Sequence, residues 1–302
     1  MKRLGGGKQV LGIAVHVLAF LLAALLLWHM FSSFAPVVPS EEHLYVYVLD
    51  VGQSDAVLLR SGTHTLLIDT GTATEERALR RALARYGIEH IDYLVLTHPH
   101  EDHVGNARYI VENLSVGTVL LPSVGSEDYA YSLFLAAVAQ SASVLTATAG
   151  QHFALGNAKV EVLSAGTATS DKDGDVNDAS VVLRVCFGTQ VFLFMGDAEA
   201  ATESALISAY GSEKLDCDFL KVGHHGSSTS TSVPFLLATT PTVAAISCGK
   251  QNAYGFPHAP TLENLAAVGA YVYRTDESGT LVFGTNGQEI RLIPPKMKGL
   301  SL

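Results

Sequence analysis

The chain has 302 residues, 48% of them apolar, enough to bury the core of one large domain or two small ones. Its formal net charge is −10; since Lys2, Arg3 and Lys8 are the charged residues of the first forty, the remainder carries −13. That balance argues against a general polyanion-binding surface, though not against a nuclease, because metal ions can supply local positive charge. Cys186, Cys217 and Cys248 are odd in number, widely spaced and match no zinc pattern, so no complete disulfide framework is expected. Cys186 and Cys248 lie in strand-like runs and read as small buried hydrophobes.

Val10 to Phe31 is a nearly continuous apolar run of 22 residues, broken by His16 and His29. At about 1.5 Å per residue it is long enough for a bilayer core of roughly 30 Å. Basic residues precede it and Glu41 and Glu42 follow, so the positive-inside rule puts the N-terminus in the cytoplasm and the rest outside. The expectation is a single-pass cell-membrane anchor over residues 1–34. The alternative is an export signal cleaved near Ser33 or Ala35, which would leave a secreted protein. Residues 35–43, with Pro36-Val37-Val38-Pro39-Ser40, read as a short stiff linker, residues 44–294 as the folded domain and residues 295–302 as a tail.

Within the domain, Leu44 to Leu49 is the first expected strand, and Ala56 to Arg60 and Thr65 to Ile68 form a hairpin pair around Ser61-Gly62. Thr74 to Tyr86 reads as a helix, capped by Thr74, favoured by Glu75 and Glu76 and stopped by Gly87. Its Arg77, Arg80, Arg81 and Arg85 share a face, read as an ordinary solvated surface in preference to a phosphate-facing stripe. Further strands are expected at Ile91 to Leu96, Thr118 to Leu121, Ser143 to Thr146, Val160 to Leu163, Val181 to Phe187, Gln190 to Phe194, Asp218 to Val222, Val243 to Ser247, Tyr271 to Tyr273 and Thr280 to Phe283. Helices are expected at Tyr129 to Gln140, Ala198 to Tyr210, Ser232 to Ala238 and Thr261 to Val268. Strands come first in hairpins and later alternate with helices, which suits two mixed sheets packed face to face with helices outside. Ser164 to Asp178 is polar and long enough to be a functional loop.

The chemistry concentrates in Thr97-His98-Pro99-His100-Glu101-Asp102-His103, directly after the apolar run Ile91 to Leu96. Pro99 forbids a continuing ladder, so the chain turns there. His98, His100, Asp102 and His103 thus share a tight loop at a strand end. Imidazole and carboxylate are ligands for zinc, manganese or iron. One ion cannot readily use all four from so short a loop; two can, with His98 and His100 on one and Asp102 and His103 on the other. Asp197 also follows an apolar strand, Val191 to Met195. It reads either as a carboxylate able to bridge two cations or as an N-cap of the following helix. His224-His225-Gly226-Ser227 follows the strand Asp218 to Val222.

The H-x-H-x-D-H pattern resembles the signature of the metallo-β-lactamase superfamily. More narrowly, Leu49-Asp50-Val51-Gly52-Gln53-Ser54-Asp55-Ala56, Leu67-Ile68-Asp69-Thr70-Gly71, Asn177-Asp178-Ala179-Ser180, Met195-Gly196-Asp197-Ala198 and Lys221-Val222-Gly223-His224-His225-Gly226-Ser227 resemble the metallohydrolase domain of ComEC-type competence proteins. The resemblance runs from about Leu44 to about Phe283. It implies an αββα sandwich (α/β, or α+β) behind the N-terminal transmembrane helix. It also implies a centre of two divalent ions, Zn²⁺ or Mn²⁺, with Asp197 as the bridging ligand.

The resemblance further implies a histidine at His224-His225 for the second ion; the doubled residue leaves open which one binds, and both are placed in the site. Many members have a third histidine for the first ion where this chain has Asn177-Asp178, and Asp178 is taken as an oxygen ligand there, with Asn177 or Ser180 orienting other groups as the alternative. Asp50, Gln53, Asp55, Asp69 and Thr70 are expected near the same rim, Asp69 as acceptor of a ligand histidine's proton. Tyr254-Gly255-Phe256-Pro257-His258 resembles a Gly-His-Pro-His stretch and keeps only His258, read as a substrate contact or proton donor, or else as a plain loop residue.

The functional expectation is a membrane-anchored, extracytoplasmic, dinuclear metal-dependent hydrolase with Asp102, His225 and His258 as catalytic residues. The resemblance implies a phosphodiesterase or nuclease acting on DNA in competence-type uptake, beside a separate membrane channel protein. The alternatives are another extracellular phosphodiester, such as a teichoic-acid or phosphocholine ester, a lactam or lactone hydrolase, and a non-catalytic binding module.

Overall fold

The computed structural model describes residue 16 and residues 40–125, 129–139, 141–166 and 176–294. The apolar run Val10 to Phe31 and the tail from 295 therefore lie outside the described residues, apart from the single position His16. Among the described residues no helix is long and apolar enough to cross a membrane.

The strands are β1 (Leu44–Val48), β2 (Val57–Ser61), β3 (His64–Ile68), β4 (His90–Val95), β5 (Ser115–Leu121), β6 (Ser143–Thr146), β7 (His152–Leu155), β8 (Ala158–Ala165), β9 (Val181–Phe187), β10 (Gln190–Phe194), β11 (Phe219–Lys221), β12 (Val243–Ile246), β13 (Tyr271–Arg274), β14 (Leu281–Thr285) and β15 (Ile290–Leu292). They form one sheet ordered β15-β14-β1-β2-β3-β4-β5-β6 and a second ordered β13-β12-β11-β10-β9-β8-β7. Each sheet is mixed: β3, β4, β5 and β6 run parallel in the first, and β10, β11, β12 and β13 in the second.

The two-residue period of the strands builds the layers. In β1, Leu44, Val46 and Val48 enter the core between the sheets, whereas Tyr47 enters the core on the outer face. In β9 and β10, Leu183, Val185, Phe192 and Phe194 point into the central core, while Val182 and Leu193 enter a third cluster. Helices cover the outer faces: Glu76–Arg85, Ala107–Asn113 and Tyr129–Val138 on the first sheet, and Ala200–Leu215, Val233–Thr239 and Ala259–Ala267 on the second. Strands buried on both faces carry apolar residues at successive positions, and each fully buried Leu, Val or Phe contributes roughly 1.5–3 kcal/mol. The expected αββα sandwich is thus observed.

The helix Ala107–Asn113 and the strands β7 and β15 were not legible in the sequence. The helix follows the histidine loop after a short turn at Gly105 and Asn106, and β7 and β15 are edge strands with weak alternation. Most of the polar segment Ser164 to Asp178 lies outside the described residues, namely 167–175. The arginine stripe is a solvated face: Arg80 pairs with Glu76 at 3.3 Å on the exposed side of its helix and lies 5.2 Å from the centre of the Tyr109 ring.

Candidate metal centre

The fold gathers the chemistry-bearing loops at one end. The turns after β1, β3 and β4 in the first sheet meet those after β10, β11 and β12 in the second, and the parallel strands among them present their carboxyl ends, the usual place for a site in such sheets. Backbone hydrogen bonds tie the loops together: Asp55 N–H donates to Asp102 O at 3.1 Å, Thr70 N–H to His103 O at 2.7 Å and Gly71 N–H to Asp55 O at 2.7 Å. Asn106 Nδ2 donates to the carbonyls of Thr70 and Thr72 at 2.9 and 2.7 Å. Gly105 is required by close approach, since a Cβ there would stand 2.4 Å from Ala73 N.

After His100 the chain enters a single helical turn, Glu101–Val104, with His103 and Val104 N–H both donating to His100 O at 3.0 Å. The turn brings the His103 ring to 4.1 Å from that of His98, closer than the 4.7 Å between His98 and His100. His98 Nε2 approaches His100 Nδ1 at 3.0 Å and Asp197 Oδ2 at 3.9 Å. Asp102, His103, Asp197 and His225 form a second convergence whose ligand atoms all lie within 4.8 Å of one another. His103 Nε2 lies 3.3 Å from Asp197 Oδ1, and His225 Nε2 lies 3.3 Å from Asp102 Oδ2 and 3.7 Å from Asp197 Oδ2. His224 Nε2 also faces Asp197 Oδ2, at 3.8 Å. Asp197 is therefore the common neighbour of His98, His103, His224 and His225.

The far sides of these rings are held by the protein. Asp69, at the end of β3, accepts from His103 Nδ1 at 2.8 Å, from Thr97 Oγ1 at 2.7 Å and from Thr97 N–H at 2.8 Å. This bears out the expected geometry for Asp69 and leaves His103 Nε2 free of the proton in the neutral ring. His225 Nδ1 donates to Ser247 O at 3.1 Å, and His224 Nδ1 lies 2.9 Å from Glu199 Oε1. Asp69, His224 and His225 all adopt left-handed backbone, with φ of 58°, 47° and 52°. Such conformations in non-glycine residues cost of order 1–3 kcal/mol each and persist where surrounding structure imposes them, commonly at functional sites.

The electrostatics are those of a cation site. Burial disfavours a proton on His103, yet Asp197, Asp69 and Asp102 outweigh it and hold its pKa well above the ordinary imidazole range. His225 is raised in the same way, burial being outweighed by Asp197 and Asp102. Burial, then the neighbouring His103 charge, pushes His98 well below its ordinary value. Burial of Asp197 is likewise overcome, by His103 and His225, which keep its carboxyl well below the carboxylate range. Despite this density of partners, His103 Nε2 and Asp197 Oδ1 are buried with no aligned hydrogen-bond partner. The two atoms face each other at 3.3 Å among further imidazoles and carboxylates, a donor set that fits a divalent cation.

Asp178 and His258 have partners outside the imidazole cluster. Asp178 Oδ1 accepts the backbone N–H of Glu199 at 2.9 Å and of Thr202 at 3.3 Å, and Thr202 Oγ1 donates to the Asp178 carbonyl at 3.2 Å. Its carboxylate thus satisfies amides at the start of the helix Ala200–Leu215, where negative charge is favoured, and does not join the imidazoles. The neighbouring Ser180 is nearer the site: its Oγ accepts Asp197 N–H at 3.0 Å and lies 3.4 Å from His98 Nδ1. His258 has loop partners at both nitrogens, Nδ1 accepting Ser228 N–H at 3.0 Å and Nε2 lying 3.2 Å from Tyr254 O, so it ties two loops together.

Two residues that reading the sequence missed complete the surroundings. Glu199 Oε1 takes His224 Nδ1, the Thr229 hydroxyl at 2.7 Å and Asn177 Nδ2 at 3.3 Å. Lys221, 1% exposed, places Nζ 2.7 Å from Asp55 Oδ2, and Asp55 Oδ1 lies 3.6 Å from His225 Nδ1. A lysine closing the apolar strand β11 was the available signal for such a buried pair.

The sequence profile of the metallo-beta-lactamase superfamily matches residues 49–143. The chain is 34% identical over 262 residues to Competence protein ComA of Neisseria gonorrhoeae, a match covering 86% of this chain and 35% of that protein. It is 29% identical over 257 residues to ComE operon protein 3 of Bacillus subtilis (strain 168), covering 79% of this chain and 32% of that one. The chain thus spans about a third of the length of these relatives. In structure it is similar to the metallo-beta-lactamase fold protein YhfI from Bacillus subtilis, with a TM-score of 0.55, 12% identity and coverage of 80% of this chain and 99% of that one. With the sandwich, the H-x-H-x-D-H loop and Asp197 in place, the chain belongs to the metallo-β-lactamase superfamily, and competence proteins of the ComEC type are among its relatives.

Proposed function

We propose that the chain is a divalent-metal-dependent phosphodiesterase acting on DNA. The observation that carries the metal is the convergence of Asp102, His103, Asp197 and His225, whose ligand atoms all lie within 4.8 Å of one another. The similarity to competence proteins over most of this chain supports DNA as the substrate and uptake as the setting. In this reading His98 and His100 would hold one ion and Asp102, His103 and His225 a second, with Asp197, which faces His98, His103, His224 and His225, available to both. The mixed nitrogen and oxygen donors suit Zn²⁺ or Mn²⁺. The run Val10 to Phe31 anchors the protein, the domain works outside the cytoplasm, and a separate membrane channel passes the strand.

Bound ions would supply Lewis acidity toward the phosphoryl oxygens and the attacking water. The residues supply the rest. Asp69 and Ser247 fix the His103 and His225 rings through their Nδ1 atoms, so the Nε2 atoms point inward. Asp102 is the partly exposed carboxylate of its group, with its side chain 35% exposed, and is placed to take the proton of the attacking water.

The test is a substrate panel: single-stranded DNA, duplex DNA, bis(p-nitrophenyl) phosphate, a phosphocholine ester and a β-lactam, each with Mn²⁺ or Zn²⁺. An Asp102→Ala/His103→Ala variant serves as control. DNA cleavage that the control lacks is the expected result. Cleavage of the small diesters alone would move the substrate to the cell envelope, and lactam hydrolysis without diester cleavage would refute the proposal.

A further inference from the structure

The mouth of the centre carries an aromatic stack for which the metal chemistry has no use. It lies on the loop between β12 and the helix Ala259–Ala267. The Phe256 ring lies 6.2 Å from that of His225 with 23° between their planes, and the Tyr254 ring lies 5.4 Å from that of Phe256 with 15° between planes. Tyr254, Phe256 and His225 thus form a nearly parallel stair from solvent to a buried imidazole of the centre. Tyr254 is 68% exposed, so its ring is left largely to water. The loop that carries it is held in place. Asn252 accepts Phe256 N–H at 2.9 Å and donates to Phe256 O at 2.7 Å, and Gly249 N–H donates to Gln53 Oε1 at 2.9 Å. An amphipathic ring stacked on Phe256 over an anchored loop and otherwise largely uncovered is a ready contact surface.

We propose that Tyr254 is a base-stacking platform for single-stranded nucleic acid, seating a base near the scissile phosphate while that phosphate reaches the imidazole cluster. The proposal rests on the phosphodiesterase reading above and names how the substrate is held. Three observations favour a nucleobase. First, the chain carries a net charge of −10, so phosphate contacts are a poor source of affinity, whereas stacking is independent of charge. Second, the ring behind Tyr254 is parallel to it, at 15°, so the pair offers a flat landing and not the multi-walled aromatic box that encloses a quaternary ammonium group. Third, the stair leads from Tyr254 to His225 itself, which ties the platform to the place where the phosphate must sit. A duplex keeps its base faces stacked on one another, so the platform selects single strands or frayed ends.

The experiment uses the full chain, its Tyr254→Ala and Tyr254→Phe variants, and a labelled single-stranded oligonucleotide. Fluorescence anisotropy without added metal reads binding, and cleavage with Mn²⁺ reads KM and kcat. Tyr254→Ala is expected to weaken binding and raise KM by about tenfold or more, the usual effect of deleting one base stack, with kcat little changed. Tyr254→Phe retains wild-type values. An abasic residue scanned along the oligonucleotide costs the wild type the same factor at one position and costs Tyr254→Ala nothing further. An unchanged KM in Tyr254→Ala, or an abasic penalty equal in both proteins, overturns the platform while leaving the nuclease reading intact. A wild-type chain that binds and cleaves no oligonucleotide overturns both. Loss in Tyr254→Ala of choline-phosphodiester turnover, with oligonucleotide binding unchanged, makes the occupant a quaternary ammonium group and also overturns the proposal.

Discussion

Replacing Asp69 by Asn tests whether the centre depends on one tautomer. The side chain keeps its volume, and asparagine tolerates the left-handed backbone, φ 58°, that Asp69 adopts. The buried carboxylate accepts three hydrogen bonds, at 2.8 Å from Thr97 N–H, 2.7 Å from Thr97 Oγ1 and 2.8 Å from His103 Nδ1. With Oδ1 retained on Thr97 N–H, the new amide NH₂ faces His103 Nδ1. Two donors cannot share that contact, so the neutral ring must move its proton to Nε2, the atom that faces Asp197 Oδ1 at 3.3 Å. A protonated Nε2 cannot be a ligand. Loss of such an outer partner typically costs 10–100-fold in metal affinity, or about 1.4–2.7 kcal/mol. Titration of the metal-free protein against a chromophoric chelator measures this, with circular dichroism to confirm the fold. A natively folded Asp69→Asn variant that binds Zn²⁺ or Mn²⁺ as tightly as wild type would refute the tautomer argument.

Other consequences follow from the same geometry. Asp178→Ala removes the carboxylate that accepts the amides of Glu199 and Thr202, so it should lower stability to denaturant by about 0.5–2 kcal/mol while metal content is retained; metal loss at unchanged stability would restore Asp178 as a ligand. Lys221→Met strands the buried Asp55 carboxylate, whose Oδ1 already lacks a partner, and should cost about 3–5 kcal/mol in urea unfolding, partly recovered by adding Asp55→Asn. A single variant within about 1 kcal/mol of wild type would show the pair to be unimportant. Neighbouring carboxylates outweigh burial and raise the pKa values of His103 and His225, so in the metal-free protein these rings hold protons that an ion must displace. Metal affinity should therefore fall as pH drops, beginning above the ordinary imidazole range, by about tenfold per pH unit for each proton displaced; a flat affinity between pH 8 and about 6 would contradict this.

The parts of the site that were legible in the sequence are those whose geometry is local. His98, His100, Asp102 and His103 leave one loop, and Asp197 and His224-His225 follow apolar strands, so strand ends and spacing were enough to suggest them. The two sheets were legible because buried strands such as Val181–Phe187 and Gln190–Phe194 write their period directly. What stayed hidden depends on long-range docking. Asp178 looked like a ligand by position, yet its side chain is claimed by amides 21 and 24 residues later, where a helix begins. Glu199 acts on a histidine 25 residues away, and Lys221 on a carboxylate 166 residues away. No local spacing encodes either meeting: Glu199 reaches His224 once β10 and β11 pair, and Lys221 reaches Asp55 once the two sheets have packed. The partners of His258 are long-range in the same way: its ring meets Ser228, a neighbour 30 residues distant in the chain.

The measurement that bears most directly on the proposed activity is cleavage of an end-labelled single-stranded oligonucleotide by the full chain under single-turnover conditions. The protein is first stripped with chelator, and Mn²⁺ or Zn²⁺ is then returned in steps with bound metal measured at each point. Cleavage absent from the stripped protein, rising with bound metal, and lost in His98→Ala/His100→Ala is the result expected from a metal centre built on this loop. Cleavage that persists without metal, or a fully loaded protein that leaves the strand intact, would contradict it.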